Sequence, residues 1–156
     1  MTKIFKKTSA VLTAAIITLV SLCITAFAAT TPSYTIEGDG SNGTTDATIE
    51  YENVNSQYTR VSYNGIDLFV TGSGTTYTVT FTPSANAATT VCFCDNDSTN
   101  EAATIIVPKW TSGMPSTFST TVTLQPNYYY AMKMKSNSSS ATTSGRFTVH
   151  GLARIY

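Results

Sequence analysis

In Thr76-Tyr77-Thr78-Val79-Thr80-Phe81 the large side chains fall on odd positions and the threonines on even ones. Successive side chains of an extended chain point to opposite faces, so this is the pattern of a strand with one face turned inward. Phe118, Val122 and Leu124 keep one parity in "FSTTVTL", as do Phe147 and Val149 in "RFTVH". No stretch beyond residue 28 carries a helical period. Asn64-Gly65, between "RVSY" and "IDLFV", supplies the two positive φ angles of a type I′ turn and predicts a tight antiparallel hairpin. Further turn signals stand at residues 72–74, 83–86, 95–100, 108–115, 125–127 and 136–144, and residues 38–46, "GDGSNGTTD", form a Gly- and Ser-rich loop. Strands are predicted near 34–37, 47–51, 59–63, 66–70, 75–81, 89–94, 103–107, 118–124, 128–135 and 145–150. About ten short strands at this spacing predict an all-β fold, an antiparallel β-sandwich with jelly-roll or Ig-like Greek-key connections.

Composition sharpens the picture. Only 12% of residues are charged, so the surface is made polar by hydroxyls and amides. Thr and Tyr suit a pleated, half-buried surface, which agrees with strands. The chain begins with Lys3, Lys6 and Lys7, continues through an uncharged apolar stretch over 10–27, and reaches Ala26-Phe27-Ala28. That order describes a secretory signal peptide over residues 1–28 and a single domain over 29–156. A membrane anchor is the competing reading, since about 18 apolar residues just span a bilayer. The small-residue exit, with no positive charge after it, favours cleavage. Leu22 is too bulky to precede a lipidated Cys23.

The leader takes three of the nine basic residues and none of the nine acidic ones, which leaves the mature chain a net charge of about −3. Arg60, Lys109, Lys133, Lys135, Arg146 and Arg154 are scattered. Nucleic-acid binding rests on clustered cations, so no nucleic-acid partner is expected, nor a membrane after leader cleavage. The expected location is extracellular, in a Gram-positive bacterium.

"VCFCDNDSTNEAA" raises the question of a disulfide, a metal site or a hairpin tip. On an extended strand Val91 and Phe93 share one face and Cys92 and Cys94 the other, with Cα atoms of the pair roughly 6.6 Å apart. This is the far end of the disulfide range, so a Cys92–Cys94 bridge requires a bulge or a strained turn. Paired thiols, a local bridge and a link between chains all stay open. Zinc is disfavoured because His150 is the only histidine available as a further ligand. Asp95, Asp97 and Glu101 resemble the start of an oxygen-rich calcium loop, but Gly at the sixth position and Glu at the twelfth are absent. A solvated turn and a weak calcium site are the two readings; no other cofactor is expected.

Catalytic patterns are wanting. His150 has no nucleophile elbow to accompany it, and nothing in the spacing singles out a carboxylate pair, so no enzymatic activity is expected. Rings with polar tips are more telling, because such surfaces meet sugar faces and protein partners. Trp110 stands in the loop "PKWTSGMP", where strand packing does not explain a large ring. In "YYYAMKMK", parity puts Tyr128, Tyr130, Met132 and Met134 inward and Tyr129, Ala131, Lys133 and Lys135 outward. Trp110, Tyr129 and Lys133 are therefore the candidate ligand-binding residues.

Leu124-Gln125-Pro126-Asn127-Tyr128-Tyr129-Tyr130, followed by Ser144-Gly145-Arg146-Phe147-Thr148-Val149, resembles the closing half of the bacterial pre-peptidase C-terminal domain. "YTVTFTP" and "VCFCDND" match its earlier strands, so the resemblance covers about residues 75–150. The chain departs from the pattern in lacking the Asp-Leu pair of the third strand and in carrying Asn127 where Gly is usual. The resemblance implies a jelly-roll-like domain that accompanies secreted enzymes and binds matrix protein or polysaccharide. The expectation is a secreted, non-catalytic binding module for an extracellular polymer, whether polysaccharide, cell wall or surface protein. Its alternatives are a self-assembling surface protein that forms homo-oligomers through strand edges and a secreted pore-forming toxin.

Overall fold

Alternation and turn chemistry produce the architecture they predict. The computed structural model describes residues 31–37, 46–95 and 100–155, within one compact unit, Thr31–Tyr156. The expected leader over 1–28, most of the expected Gly- and Ser-rich loop, and Asp97 lie outside the described residues. The described residues form thirteen strands: β1 (Ser33–Glu37), β2 (Ala47–Val54), β3 (Thr59–Arg60), β4 (Ser62–Tyr63), β5 (Ile66–Asp67), β6 (Phe69–Thr71), β7 (Thr76–Phe81), β8 (Thr89–Asp95), β9 (Glu101–Val107), β10 (Phe118–Thr123), β11 (Tyr130–Ser136), β12 (Thr143–Val149) and β13 (Ala153–Ile155).

Two antiparallel sheets make the sandwich, one in the order β1-β2-β12-β7-β10 and the other β13-β6-β11-β8-β9, with β3 also paired to β11. β2 and β12, nearly a hundred residues apart in the chain, lie side by side, so the sheets close by long crossovers as the Greek-key expectation requires. Inward residues of β2, β7 and β12 (Ile49, Tyr51, Val79, Phe81, Phe147, Val149) and of β8, β9 and β11 (Val91, Phe93, Ile105, Val107, Met132, Met134) form one core. Each fully buried side chain of this size contributes roughly 1.5–3 kcal/mol relative to exposure.

β4 and β5 form the predicted hairpin, with Asn64 at φ 52° and Gly65 at φ 78° in the turn. Departures from expectation are local. The predicted runs 59–63 and 66–70 each break in two, because Val61 and Leu68 are fully buried and bond out of ladder, Leu68 N–H to Val61 O and Val61 N–H to Met132 O. β13 was not legible in the alternation. β11 begins at Tyr130, two residues later than expected: Asn127 at φ 57° turns the chain, and its N–H bonds to Gly72 O.

Candidate functional site

β9 ends one sheet and β10 the other, and the segment between them carries the chain across the end of the sandwich. Pro108 starts this crossing, since it cannot donate to a continuing ladder. A turn follows, with Met114 N–H bonded to Thr111 O at 3.1 Å and Gly113 at φ 88°, the positive φ a type II turn needs. Before that turn, Lys109 forms a parallel bridge with Ser84; Ser84 N–H reaches Pro108 O at 2.8 Å, and Trp110 N–H reaches Ser84 O at 2.9 Å. Two loops distant in sequence, 83–87 and 108–110, are thus sewn together by backbone.

Between them lies an open groove of about 580 Å³ lined by Pro83, Ala85, Asn86, Lys109 and Trp110. Ligand sites usually measure about 300–1,000 Å³. The Trp110 ring is 55% exposed and its backbone is pinned. Asn86 takes φ 65°, a turn conformation that Asn tolerates better than most residues. The groove therefore presents a flat ring, an apolar floor and two polar side chains, an amide and an ammonium.

Its floor is tied into the core by hydroxyls. Ser84 Oγ is buried and lies 2.6 Å from Tyr51 Oη and 2.8 Å from Thr89 Oγ1; Thr89 Oγ1 lies 2.9 Å from Thr143 Oγ1. Thr143 Oγ1 also lies 3.0 Å from the carbonyl oxygens of both Ala85 and Ala87. Buried polar groups need partners, and here they partner one another while fixing the 83–87 loop. The chain's abundance of Ser and Thr concealed these positions from a sequence reading.

The three sequence candidates occupy different settings. Trp110 lines the groove, Tyr129 is 51% exposed in the turn before β11, and Lys133 lines a separate pocket with the cysteines. Tyr128, expected in the core, is instead 37% exposed, its ring 5.2 Å from that of buried Tyr130, because the turn at Asn127 delays the strand.

Cys92 and Cys94 are both buried, their Sγ atoms 2.9 Å apart on the outer face of β8. A β-bulge lies beside them: Phe93 opposes Ala103 but Cys94 opposes Glu101, so β9 carries one extra residue. Tyr58, Glu101 and Lys133 complete a pocket of about 180 Å³ over the sulfurs. Tyr58 is pushed up to about 12, by desolvation first and then by its hydrogen bond to Glu101 and that carboxylate's charge. Lys135 Nζ sits 4.4 Å from the centre of the Tyr58 ring.

Of the candidate calcium ligands, Asp95 donates its N–H to Asn100 O, and Glu101 lines the thiol pocket. Among the described residues no three His, Cys, Asp or Glu side chains converge as a metal site.

His150 cross-links elements: Nδ1 lies 2.6 Å from Asp46 Oδ2 and Nε2 2.9 Å from Thr80 Oγ1. Thr80 sits mid-strand between Ser119 and Thr148, unlike a nucleophile exposed at a sharp turn. Desolvation raises the Asp46 carboxyl, but hydrogen bonds from His150 and the Gly151 N–H, with the imidazole's charge, together hold it below the usual carboxylate range. A folded-state value below the unfolded one stabilises the fold above the unfolded pKa, about 3.9, and this contribution fades as pH falls through the folded value. Asp46→Asn is therefore expected to flatten the acid limb of stability below about pH 4. Urea midpoints across the acid range test this, and an unchanged acid limb would refute it.

No protein-family model and no curated protein matches the chain. Among solved structures the chain is similar to one described as "Bacillus endospore appendages form a novel family of disulfide-linked pili", with 14% identity, 82% of this chain and 92% of that one covered, and a TM-score of 0.43. It is also similar to the "Crystal structure of Bacteriophage CBA120 tailspike protein 4 enzymatically active domain", with 14% identity, 78% of this chain covered and a TM-score of 0.32; the match spans 19% of that chain. Likeness this distant carries no function across.

Proposed function

We propose that the chain is a secreted, non-catalytic binding module for an extracellular polymer, and that the Trp110 groove is its binding face. One observation carries this: a tryptophan ring held more than half exposed at the rim of a groove whose two walls are sewn together and tied to the core. Exposing such a ring forgoes roughly 1.5–3 kcal/mol of burial, which a binding face recovers when the ring is covered. A flat apolar ring flanked by the Asn86 amide and the Lys109 ammonium suits a sugar face bordered by hydroxyls. Low charge favours a neutral glycan.

Co-sedimentation of the chain with insoluble polysaccharides, peptidoglycan and collagen tests the proposal. Retention on one polymer that the matching soluble oligomer competes away is expected; retention on none would refute it.

Self-assembly is the second reading, favoured by the two edge strands. β9 and β10 lie beside one another, each last in its sheet, and Ile106 of β9 is 60% exposed. Edge strands offer unpaired backbone groups to another chain. If assembly is the function, sedimentation velocity shows growth with concentration that Ile106→Lys abolishes. A chain that stays monomeric at high concentration removes this reading.

A further inference from the structure

We propose that Cys92 and Cys94 form an intrachain redox couple, which passes from dithiol to an intrastrand disulfide by exchange with a low-molecular-weight disulfide admitted through the pocket walled by Tyr58, Glu101 and Lys133. Several independent features meet here. The sulfurs share the outer face of β8 and lie 2.9 Å apart, so each is the other's nearest reaction partner. Holding two reacting groups in one small volume raises their effective concentration by orders of magnitude over any second chain. The bulge in β9 interrupts the ladder on one side of the Phe93–Cys94 step, while β11 keeps its register with β8 on the other, so the two cysteines are free of regular pairing on one flank only. The pocket, about 180 Å³, is lined by both cysteines together with Tyr58, Glu101 and Lys133, and has room for a small disulfide. Both residues are buried, which shields their sulfurs from a neighbouring chain.

The exchange proceeds in two steps. One cysteine thiolate attacks a sulfur of the incoming disulfide, whose S–S bond breaks and releases one thiolate. The second cysteine then displaces the other half as a thiolate, forming the Cys92–Cys94 bond. The protein loses two electrons and two protons, and the small disulfide is reduced to two thiols. Desolvation first, then the neighbouring Cys94 sulfur and the Glu101 carboxylate, push the Cys92 thiol above its ordinary range. Because the thiolate is the reactive form, exchange at Cys92 accelerates as pH rises. A bridge across an extended i, i+2 pair sits at the edge of the favourable range, so ordinary thiol buffers reopen it.

The test uses the full chain carrying Cys23→Ser, so that Cys92 and Cys94 are its only thiols, incubated with hydroxyethyl disulfide under native conditions. The expected product is a monomer lighter by about 2 Da, with no free thiol, the loss located in the peptide spanning residues 91–95, and full reversal by reductant. Three results would overturn the proposal: a stable mixed-disulfide adduct on the wild-type pair, covalent dimers, or thiols that react only after unfolding. Adding Cys94→Ser separates the steps. That variant is expected to stop at the adduct on Cys92, and a product lighter by 2 Da from it would equally refute the assignment.

Discussion

Trp110→Ala is expected to weaken polymer binding about 30-fold or more, the scale on which truncating a central aromatic anchor acts. The loss belongs to the ring alone. Trp110 holds its place through a backbone bond to Ser84 O, which alanine keeps, and the exposed ring is not part of the buried core. Thermal stability should therefore stay within about 0.5 kcal/mol of the parent. Trp110→Phe keeps a smaller flat face and should recover part of the affinity. Asn86→Ala and Lys109→Ala should each weaken binding less than the tryptophan change, since rim polar groups contribute mainly to orientation. Affinity measured by depletion against the retained polymer checks the series, and a Trp110→Ala variant binding as tightly as the parent would remove the groove from the account.

Gly145→Ala is expected to destabilise the fold by about 2–3 kcal/mol, enough to lower the melting temperature by roughly 6–12 °C. Gly145 lies opposite Tyr51, and a Cβ at that position would stand 2.6 Å from the Tyr51 hydroxyl and 2.9 Å from Cζ. Tyr51 is fully buried, its ring 6.3 Å from that of Phe147, and its hydroxyl is held 2.6 Å from Ser84 Oγ. The ring has nowhere to retreat in a close-packed core, so relief comes only by lifting the hydroxyl off Ser84. That move unsettles the 83–87 loop, and polymer affinity should fall together with stability. A double-mutant cycle identifies the cause: in a Tyr51→Phe background the same Gly145→Ala change should be milder, because the closest atom is gone. Equal penalties in both backgrounds would show that the hydroxyl is not what the methyl meets.

Much of this architecture was legible because strands write their burial into the sequence. Tyr77, Val79 and Phe81 face the core and Thr76 and Thr78 face solvent, as their alternation said, and Asn64-Gly65 turns where its φ preference places it. Val61 and Leu68 misled the reading, since in "RVSY" and "IDLFV" every residue suits a strand and nothing marks where the ladder breaks. Tyr128 misled it for a similar reason, because Asn127 reads as a turn residue but not as one that delays β11.

Trp110 was found as an exposed ring, yet its groove was invisible. Asn86 and Lys109 are far apart in the chain and meet only through the Ser84–Lys109 bridge. Ser84, Thr89 and Thr143 are three hydroxyls among many, distinguished only by burial. Parity placed the two cysteines on one face, whereas the bulge opposite them comes from one extra residue in β9 that carries no marker of its own.

Tryptophan emission tests the central claim most directly, because Trp110 is the chain's only tryptophan. Titration with a soluble fragment of the retained polymer should shift the emission to shorter wavelength, saturate with the affinity found by depletion, and shield the ring from acrylamide. A polymer that binds while emission and quenching stay unchanged would contradict the account and place the binding face elsewhere on the sandwich.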